Sequence, residues 1–284
     1  MFETIRKAFK AKDSVAARIR TRHALFWSSP DAGEVKDLLL SADDPIEQWK
    51  DRPNWQRKLS NKFNAREFAR MHGCRVAELY WKGRLPETID FDRLPAQYVI
   101  RPTFGHSCKM VFLMNDGVNM LDKRAYLPED LKRFMQTQLA KNPRLEFLVE
   151  EFLRNEDGEY CIPNDYKFLM FNGEIASIVL INRLGPTEGF QDFYDENWNR
   201  MDNLTTIYPN EGYKDPPACL PELIDAARRL SKAYGIFVRI DFYATDKGAV
   251  FGEFTPTPSK GHGFTPYGDE LLTYYWDTYC NGMI

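Results

Sequence analysis

Apolar and polar residues alternate in short runs along most of the chain, and glycine, proline and asparagine separate the runs. Alternation with a period of two predicts β-strands, whereas apolar residues three and four positions apart predict one face of a helix. On this pattern we predict strands at residues 97–101, 110–114, 147–152, 166–171, 174–181, 237–244 and 249–254. Helices are predicted at residues 60–70, 128–141 and 220–234.

Turn residues between these runs indicate how the strands are connected. Asn172-Gly173 is a strong hairpin signal, because both residues accept the positive φ angles of a two-residue turn. Asp246-Lys247-Gly248 joins the last two predicted strands, and Gly235 occupies the position of a left-handed helix C-cap. Neighbouring strands are therefore mostly antiparallel, which predicts an α+β fold rather than a doubly wound parallel sheet. The sequence also lacks the G-x-G-x-x-G and P-loop motifs.

Length, charge and cysteine content narrow the class of protein. The 284 residues suffice for about two domains, and a net charge of −3 argues against nucleic-acid binding. No apolar run approaches the roughly 18 residues of a membrane helix, and the start of the chain lacks the apolar stretch of a signal peptide. Five cysteines without a C-x-x-C pair argue against a disulfide framework or a zinc site. We therefore expect a cytoplasmic enzyme.

The first 24 residues differ from the rest, with seven basic and two acidic side chains. Phe2, Ile5 and Phe9 lie near helical spacing, which predicts a basic amphipathic helix. Such a helix suits contact with an anionic membrane surface or with a partner protein. The pattern favours the simpler alternative, a solvated helix docked on the body of the protein.

The strongest chemical cluster lies on the last two predicted strands. Arg239 and Asp241 alternate along one strand and so face one side, as do Glu253 and Thr255 on the next. The short turn between the strands brings Asp241 and Glu253 within reach of one ion, and Mg²⁺ prefers such oxygen ligands. A cross-strand ion pair of Arg239 with Glu253 on a solvated sheet explains the same spacing. The apolar residues on either side of these charges favour a binding site.

A second candidate is the loop after the first predicted strand. Arg101 and Lys109 flank a turn that contains Gly105, His106 and Ser107. Backbone N–H groups of such a turn can lie over phosphates, with the flanking cations offsetting the phosphate charge. An ordinary hairpin loop has the same features, and a single glycine taken alone favours that interpretation.

Charged residues also mark the strands between these two segments. Glu150 and Glu151 end one predicted strand, while Lys167 and Arg183 lie near the ends of the two strands of the Asn172-Gly173 hairpin. Both cations can therefore converge on an anionic ligand. Taken alone, this spacing favours charged strand ends that point into solvent.

The order of these motifs resembles the ATP-grasp superfamily. A cation before a Gly/Ser loop is followed by E-E-F-L, D-Y-K-F, N-R, R-I-D and G-E-F-T. Within this superfamily the chain is similar to the TupA-like branch, which is associated with teichuronopeptide and other surface-polysaccharide pathways. The segments that carry this likeness are L-S-N-K from residue 59, F-Y-D-E-N-W-N from residue 193, R-I-D-F-Y from residue 239 and G-E-F-T from residue 252.

The resemblance implies a nucleotide role for many of these positions. Arg101 stands where the family usually has a nucleotide-binding lysine. The other implied positions are Gly105, His106 and Ser107 over the phosphates, Glu150, Glu151, Phe152 and Leu153 in the hinge that receives adenine, Asp165 near the ribose, and Lys167 with Arg183 near the transferred phosphate.

The resemblance also implies a metal site. Asp241 and Glu253 match the magnesium carboxylates, and Glu253 matches the bridging ligand. The resemblance implies one or two Mg²⁺ ions, for which Mn²⁺ can substitute. Thr255 replaces the common asparagine ligand. Because a hydroxyl is a poorer ligand than an amide oxygen, we expect a weak second metal. Arg239, Lys167 and Arg183 would stabilise the charge that builds on the phosphate.

The resemblance therefore implies two α+β subdomains that clasp ATP. We expect the small lobe at residues 96–153, the C-terminal lobe at residues 154–284, and a basic, mixed region before residue 96. The expected activity is ATP- and Mg-dependent ligation of a carboxylate to an amine through an acyl phosphate, in polysaccharide or related carbohydrate biosynthesis. Its partners would be a small molecule or glycan with a carboxylate, and an amine acceptor. The alternatives are a sugar or glycan kinase, and a nucleotide- or glycan-binding module without turnover. The residues carry no signal for the oligomeric state.

Overall fold

The computed structural model describes residues 32–105, 108–185 and 187–281, together with Ser14, Ile19, Thr21 and Met283. The basic helix predicted at residues 1–24 falls almost entirely outside the described residues. In the described part of the chain, no helix is both long and apolar enough to cross a membrane.

The described chain forms two helices, α1 (Ala32–Asp37) and α2 (Ile46–Trp49), before a mixed succession of helices and strands. The elements that follow are α3 (Lys62–Met71), β1 (Leu79–Gly83), β2 (Gln97–Pro102), β3 (Phe112–Asn115), β4 (Val118–Asn119), β5 (Arg124–Ala125), α4 (Pro128–Lys141), β6 (Phe147–Glu151), β7 (Asp165–Phe171), β8 (Glu174–Arg183), β9 (Gly189–Tyr194), α5 (Leu220–Tyr234), β10 (Val238–Thr245), β11 (Gly248–Thr255) and α6 (Pro266–Tyr279).

The strands form two antiparallel sheets, which confirms the α+β fold. One sheet has the order β1-β6-β2-β3-β4-β5, and the other has the order β11-β10-β7-β8-β9. All seven predicted strands are present, with ends that differ by up to two residues. The strands β1, β4, β5 and β9 and the helices α1 and α6 were not predicted. Strand β9 lacks simple alternation, because the consecutive polar residues Gln191 and Asp192 are both buried. Gln191 donates to the carbonyl of Thr205, and Asp192 accepts from Arg200, both outside the strand.

Local signals explain where several elements begin and end. Asn61 caps α3, because its side-chain oxygen accepts from the N–H of Phe63 at 2.9 Å. Asn172 and Gly173 both have positive φ, 49° and 103°, as the predicted two-residue hairpin turn requires. Gly235 ends α5 with φ 83°, the left-handed C-cap that its position predicts.

Each sheet packs against helices, and each has its own hydrophobic core. Ile100, Phe147 and Val149 pack with Leu131 and Met135 of α4 in the core of the six-stranded sheet. Helices α5 and α6 cover the back of the five-stranded sheet. Helix α3 contacts β11, so its first turn can reach side chains on the front of that sheet.

The link between β6 and β7 is held against the β10–β11 turn. Lys247 in this turn pairs with Glu151, and Asp246 pairs with Arg154 just after β6. The turn end of the β10–β11 hairpin therefore lies beside the segment where the chain passes from one sheet to the other. The open end of the hairpin, at Arg239 and Thr255, lies at the far end of the same two strands.

Candidate nucleotide and metal site

Seven polar residues occupy the front of the five-stranded sheet, and we call them the charged face: Asp165, Lys167, Arg183, Arg239, Asp241, Glu253 and Thr255. The strand register explains why they share this side. Asp241 lies directly opposite both Glu253 and Lys167, and Arg239 lies opposite Thr255. Residues directly opposite each other in antiparallel strands share a face. The predicted meeting of Asp241 with Glu253 is thus present in the structure.

Arg239 connects three of these residues. Its Nε and Nη2 donate to Oδ1 and Oδ2 of Asp241 at 2.6 and 2.7 Å, a two-point pairing with a carboxylate that is 2% exposed. The same Nη2 lies 2.9 Å from Oγ1 of Thr255 and 3.4 Å from Oε1 of Glu253. Burial disfavours the charged guanidinium, but the charge of Asp241 raises the pKa of Arg239. The cross-strand pair of Arg239 with Glu253, the alternative drawn from spacing, therefore coexists with the clustered carboxylates.

Lys167 and Arg183 converge on one carboxylate, that of Asp165. Lys167 Nζ and Arg183 Nη2 lie 3.1 and 3.0 Å from Asp165 Oδ2. Lys167 also donates to Oδ2 of Asp241 at 2.6 Å, so it bridges Asp165 and Asp241. Burial opposes ionisation of Asp165, yet the charges of Lys167 and Arg183 lower its pKa below the ordinary value. The two cations are therefore held by an anion, and they do not extend into solvent.

Glu253 is the most accessible carboxylate of the charged face, with one third of its side chain exposed. Burial raises its pKa, but the charges of Lys62, Arg239 and Lys167 outweigh burial and lower the pKa to about 2. Lys62 Nζ lies 3.2 Å from Oε2 of Glu253. Sequence reasoning gave Lys62 no role, although it noted the L-S-N-K block that contains it. The block marked the residue, but only the packing of α3 against β11 brings it to Glu253.

Arg101 does not project freely from β2, because a buried acid holds it. Its Nε donates to Oε2 of Glu150 at 2.5 Å, and Glu150 is 2% exposed. Arg66 of α3 approaches the other oxygen of Glu150, with Nε 3.5 Å from Oε1. Burial disfavours the charge on Arg101, but Glu150 raises its pKa. Among the described residues, Arg101 makes this ion pair through Nε and none through its two terminal nitrogens. Arg66 is a second residue that sequence reasoning missed.

The remaining predicted nucleotide residues lie in the hinge and in the loop between β2 and β3. In the hinge, Phe152 and Leu153 are buried, and the Glu151 side chain accepts from the N–H of Glu78 at 3.2 Å. In the loop, the carbonyl of Gly105 accepts from Lys62 at 3.1 Å. Lys109 is exposed and makes no ion pair with any residue that the structure describes. His106 and Ser107 lie outside the described residues.

The donors of the charged face suit a hard divalent cation. Asp241, Glu253 and Thr255 all present oxygen atoms to one point, which Nη2 of Arg239 occupies in this structure. A cation is thus already accommodated among the three predicted ligands, and oxygen is the donor that Mg²⁺ prefers. Among the described residues, no group of three or more His, Cys, Asp or Glu suits a metal. A metal here would therefore take its other ligands from phosphate and water.

Comparison with solved structures identifies the class of fold. D-alanine–D-alanine ligase from Bacillus anthracis matches 78% of this chain and 66% of its own, at 17% identity and a TM-score of 0.50. The L-amino acid ligase from Bacillus licheniformis matches 74% of this chain and 44% of its own, at 13% identity and a TM-score of 0.47. This chain spans less than two thirds of the length of either ligase. The fold of this chain is similar to that of the D-alanine–D-alanine ligase.

The sequence itself gives the family. The family model described as TupA-like ATPgrasp matches residues 47–275. The chain therefore belongs to the TupA-like ATP-grasp family, which confirms the resemblance drawn from its motifs. No curated protein sequence matches the chain.

Proposed function

We propose that this protein is an ATP- and Mg-dependent carboxylate–amine ligase that works through an acyl phosphate. The observation that carries the proposal is the charged face, where Asp241, Glu253 and Thr255 surround one cationic position beside the amine of Lys167. Family membership supports ATP as the phosphate donor. Such a cluster suits phosphoryl transfer, which depends on positioning and charge neutralisation more than on covalent help from the protein.

The position of the hinge supports one direction for the nucleotide. The β10–β11 turn contacts Glu151 and Arg154, so adenine would lie near this turn. Glu253 lies five positions after Gly248, which at about 3.3 Å per residue is about 16 Å along the strand. That distance suits an extended nucleoside triphosphate with its terminal phosphate at Glu253. The substrate carboxylate would then lie towards the open end of the hairpin, near Arg239 and Thr255.

The side chains would act on the two steps as follows. An oxygen of the substrate carboxylate attacks the γ-phosphorus, a P–O bond forms, and the bond to the β-phosphate oxygen breaks to release ADP. Lys167 and Arg239 offset the charge that builds on the transferred group. Mg²⁺ held by Asp241 and Glu253 would neutralise phosphate charge and orient the oxygens. An amine then attacks the acyl carbon, the C–O bond breaks, phosphate leaves and the amine loses a proton.

The proposal also concerns the substrates of the reaction. We place the acid and the amine acceptor in cell-surface polysaccharide or related carbohydrate biosynthesis, on the support of the family alone. We also place the protein in the cytoplasm, because that compartment supplies ATP.

Trapping with hydroxylamine tests the reaction class. The protein is incubated with ATP, Mg²⁺, hydroxylamine and single acids from a panel of uronic acids and amino acids. A ligase yields a hydroxamate and ADP in equal amounts with its acid substrate, because hydroxylamine intercepts the acyl phosphate. A stable phosphate ester without hydroxamate would identify a kinase instead. Binding of Mg-ATP with no ADP release from any acid would favour a module without turnover.

A further inference from the structure

Lys62 connects three segments that meet at the charged face. Its backbone N–H donates to the carbonyl of Thr103 at 2.9 Å, and its Nζ donates to the carbonyl of Gly105 at 3.1 Å. The same Nζ lies 3.2 Å from Oε2 of Glu253 on β11. Only 14% of the Lys62 side chain is exposed. One residue at the start of α3 therefore ties residues 103–105 to the predicted metal carboxylate.

Both oxygens of Glu253 are engaged by cations or donors. Oε1 faces Nη2 of Arg239 and the hydroxyl of Thr255, while Oε2 faces Lys62. A divalent ion on Oε2 would stand next to the ammonium group, and like charges at such distances repel where the side chains are largely shielded from solvent. The ion and Lys62 therefore compete for the same oxygen.

Release of Lys62 from Glu253 would also loosen its hold on residues 103–105. The side-chain contact with Gly105 and the ion pair with Glu253 share the same nitrogen atom. If Nζ moves away from Oε2 because a metal takes that oxygen, its geometry towards Gly105 changes as well. Occupancy of Glu253 and the position of residues 103–105 are thus linked through a single side chain.

We propose that Lys62 is a positioning residue that clamps residues 103–105 against Glu253 in the free enzyme, and that a divalent metal at Glu253 releases this clamp. The inference rests on the proposed role of Glu253 as a metal ligand. In this proposal, the ammonium group of Lys62 lowers the affinity of Glu253 for a metal when no nucleotide is bound. Metal and nucleotide would therefore bind together.

Binding of Mn²⁺ to the nucleotide-free protein, followed by electron paramagnetic resonance, tests the competition. Lys62→Gln keeps a donor for Gly105 but removes the charge, and we expect it to bind Mn²⁺ about tenfold more tightly than the wild type. Lys62→Arg keeps the charge and should bind Mn²⁺ like the wild type. Lys141→Gln, which removes an exposed lysine at the end of α4, controls for net charge. Equal or weaker binding by Lys62→Gln overturns the proposal.

The same titration with a non-hydrolysable ATP analogue separates this proposal from the metal assignment. Mn²⁺ that binds no variant, with or without the analogue, contradicts the metal site itself and the clamp with it. Mn²⁺ that binds only with the analogue, and equally in the wild type and Lys62→Gln, contradicts the clamp alone.

Hydrogen–deuterium exchange measures the clamp directly. In Lys62→Ala, the peptide that contains residues 103–105 should exchange at least about tenfold faster than in the wild type, while Lys62→Arg restores protection. Added Mn²⁺ should raise exchange of this peptide in the wild type. Faster exchange in Lys62→Ala with unchanged Mn²⁺ affinity in Lys62→Gln would mean that Lys62 is only structural, which also overturns the proposal.

Discussion

Asp241 and Glu253 lie directly opposite each other on β10 and β11, and one nitrogen of Arg239 contacts both of their carboxylates. Two acids on paired strands would repel each other without a shared cation. In this structure Arg239, Lys167 and Lys62 supply that charge. The charged face is therefore a network of alternating ions.

Replacing Glu253 tests its role in turnover. Glu253→Gln keeps the size of the side chain but removes the charge, so metal and phosphate would be held poorly. We expect ADP release to fall by about a hundredfold or more, the scale of losing one electrostatic contact at a reacting phosphate. Steady-state ADP release at saturating Mg-ATP measures this effect. Glu174→Gln, at the exposed start of β8, is the matched control and should retain full activity. Normal turnover by Glu253→Gln would reject the metal assignment.

Stability at acid pH should depend on Glu253. Its folded-state pKa is about 2 against an ordinary value of 4.5, so the carboxylate stabilises the folded protein fully above about pH 4.5. This contribution is lost as the pH falls from 4.5 towards 2, because the unfolded chain takes up the proton first. Urea unfolding at pH 6 and pH 3 measures the change. Glu253→Gln should lose less stability than the wild type over this interval. An equal loss in both proteins would show that the charges of Lys62 and Arg239 do not act on Glu253.

The ion pair of Arg101 with Glu150 should contribute to the stability of the fold, in addition to any role in ligand binding. Arg101→Met leaves the buried carboxylate of Glu150 with Arg66 alone, 3.5 Å away. Removing one partner of a buried ion pair costs about 3 kcal/mol, so we expect a loss of that size in the free energy of unfolding. Arg93→Met, which breaks a surface pair with Asp90, should change stability by less than about 0.5 kcal/mol. Equal effects of the two substitutions would mean that Glu150 is solvated.

Gly235 should be required for its backbone conformation alone. Its φ is 83°, and a Cβ added there would meet no atom of the described residues within 4 Å. Gly235→Ala should therefore destabilise the protein by about 1 kcal/mol, the cost of a left-handed conformation for a residue with a Cβ. Gly185→Ala is the control, because a Cβ there also meets no atom within 4 Å in the part of the chain that the structure describes, and its φ lies outside the left-handed range. Thermal or urea unfolding compares the two. A neutral Gly235→Ala would refute the C-cap argument.

Residue spacing could determine which side chains share a face of a strand. A strand has a period of two, so Arg239 and Asp241, or Glu253 and Thr255, must point the same way once the strand exists. The turn at Asn172-Gly173 and the helix cap at Gly235 could also be predicted, because each depends only on residues that are close in sequence. The motif order was also sufficient to predict the family and the α+β fold.

Only the tertiary structure decided which of these charges neutralise one another. Strand β6 inserts between β1 and β2, and β10 pairs with β7 rather than only with its hairpin partner. These pairings place Lys167 on Asp241, and the packing of α3 places Lys62 on Glu253 and Arg66 near Glu150. Local periodicity carries no information about such contacts, because the energy of a charge pair depends on distance and burial between distant segments. The sequence determined which side chains share a face of a strand, and long-range packing determined which cations pair with the carboxylates on that face.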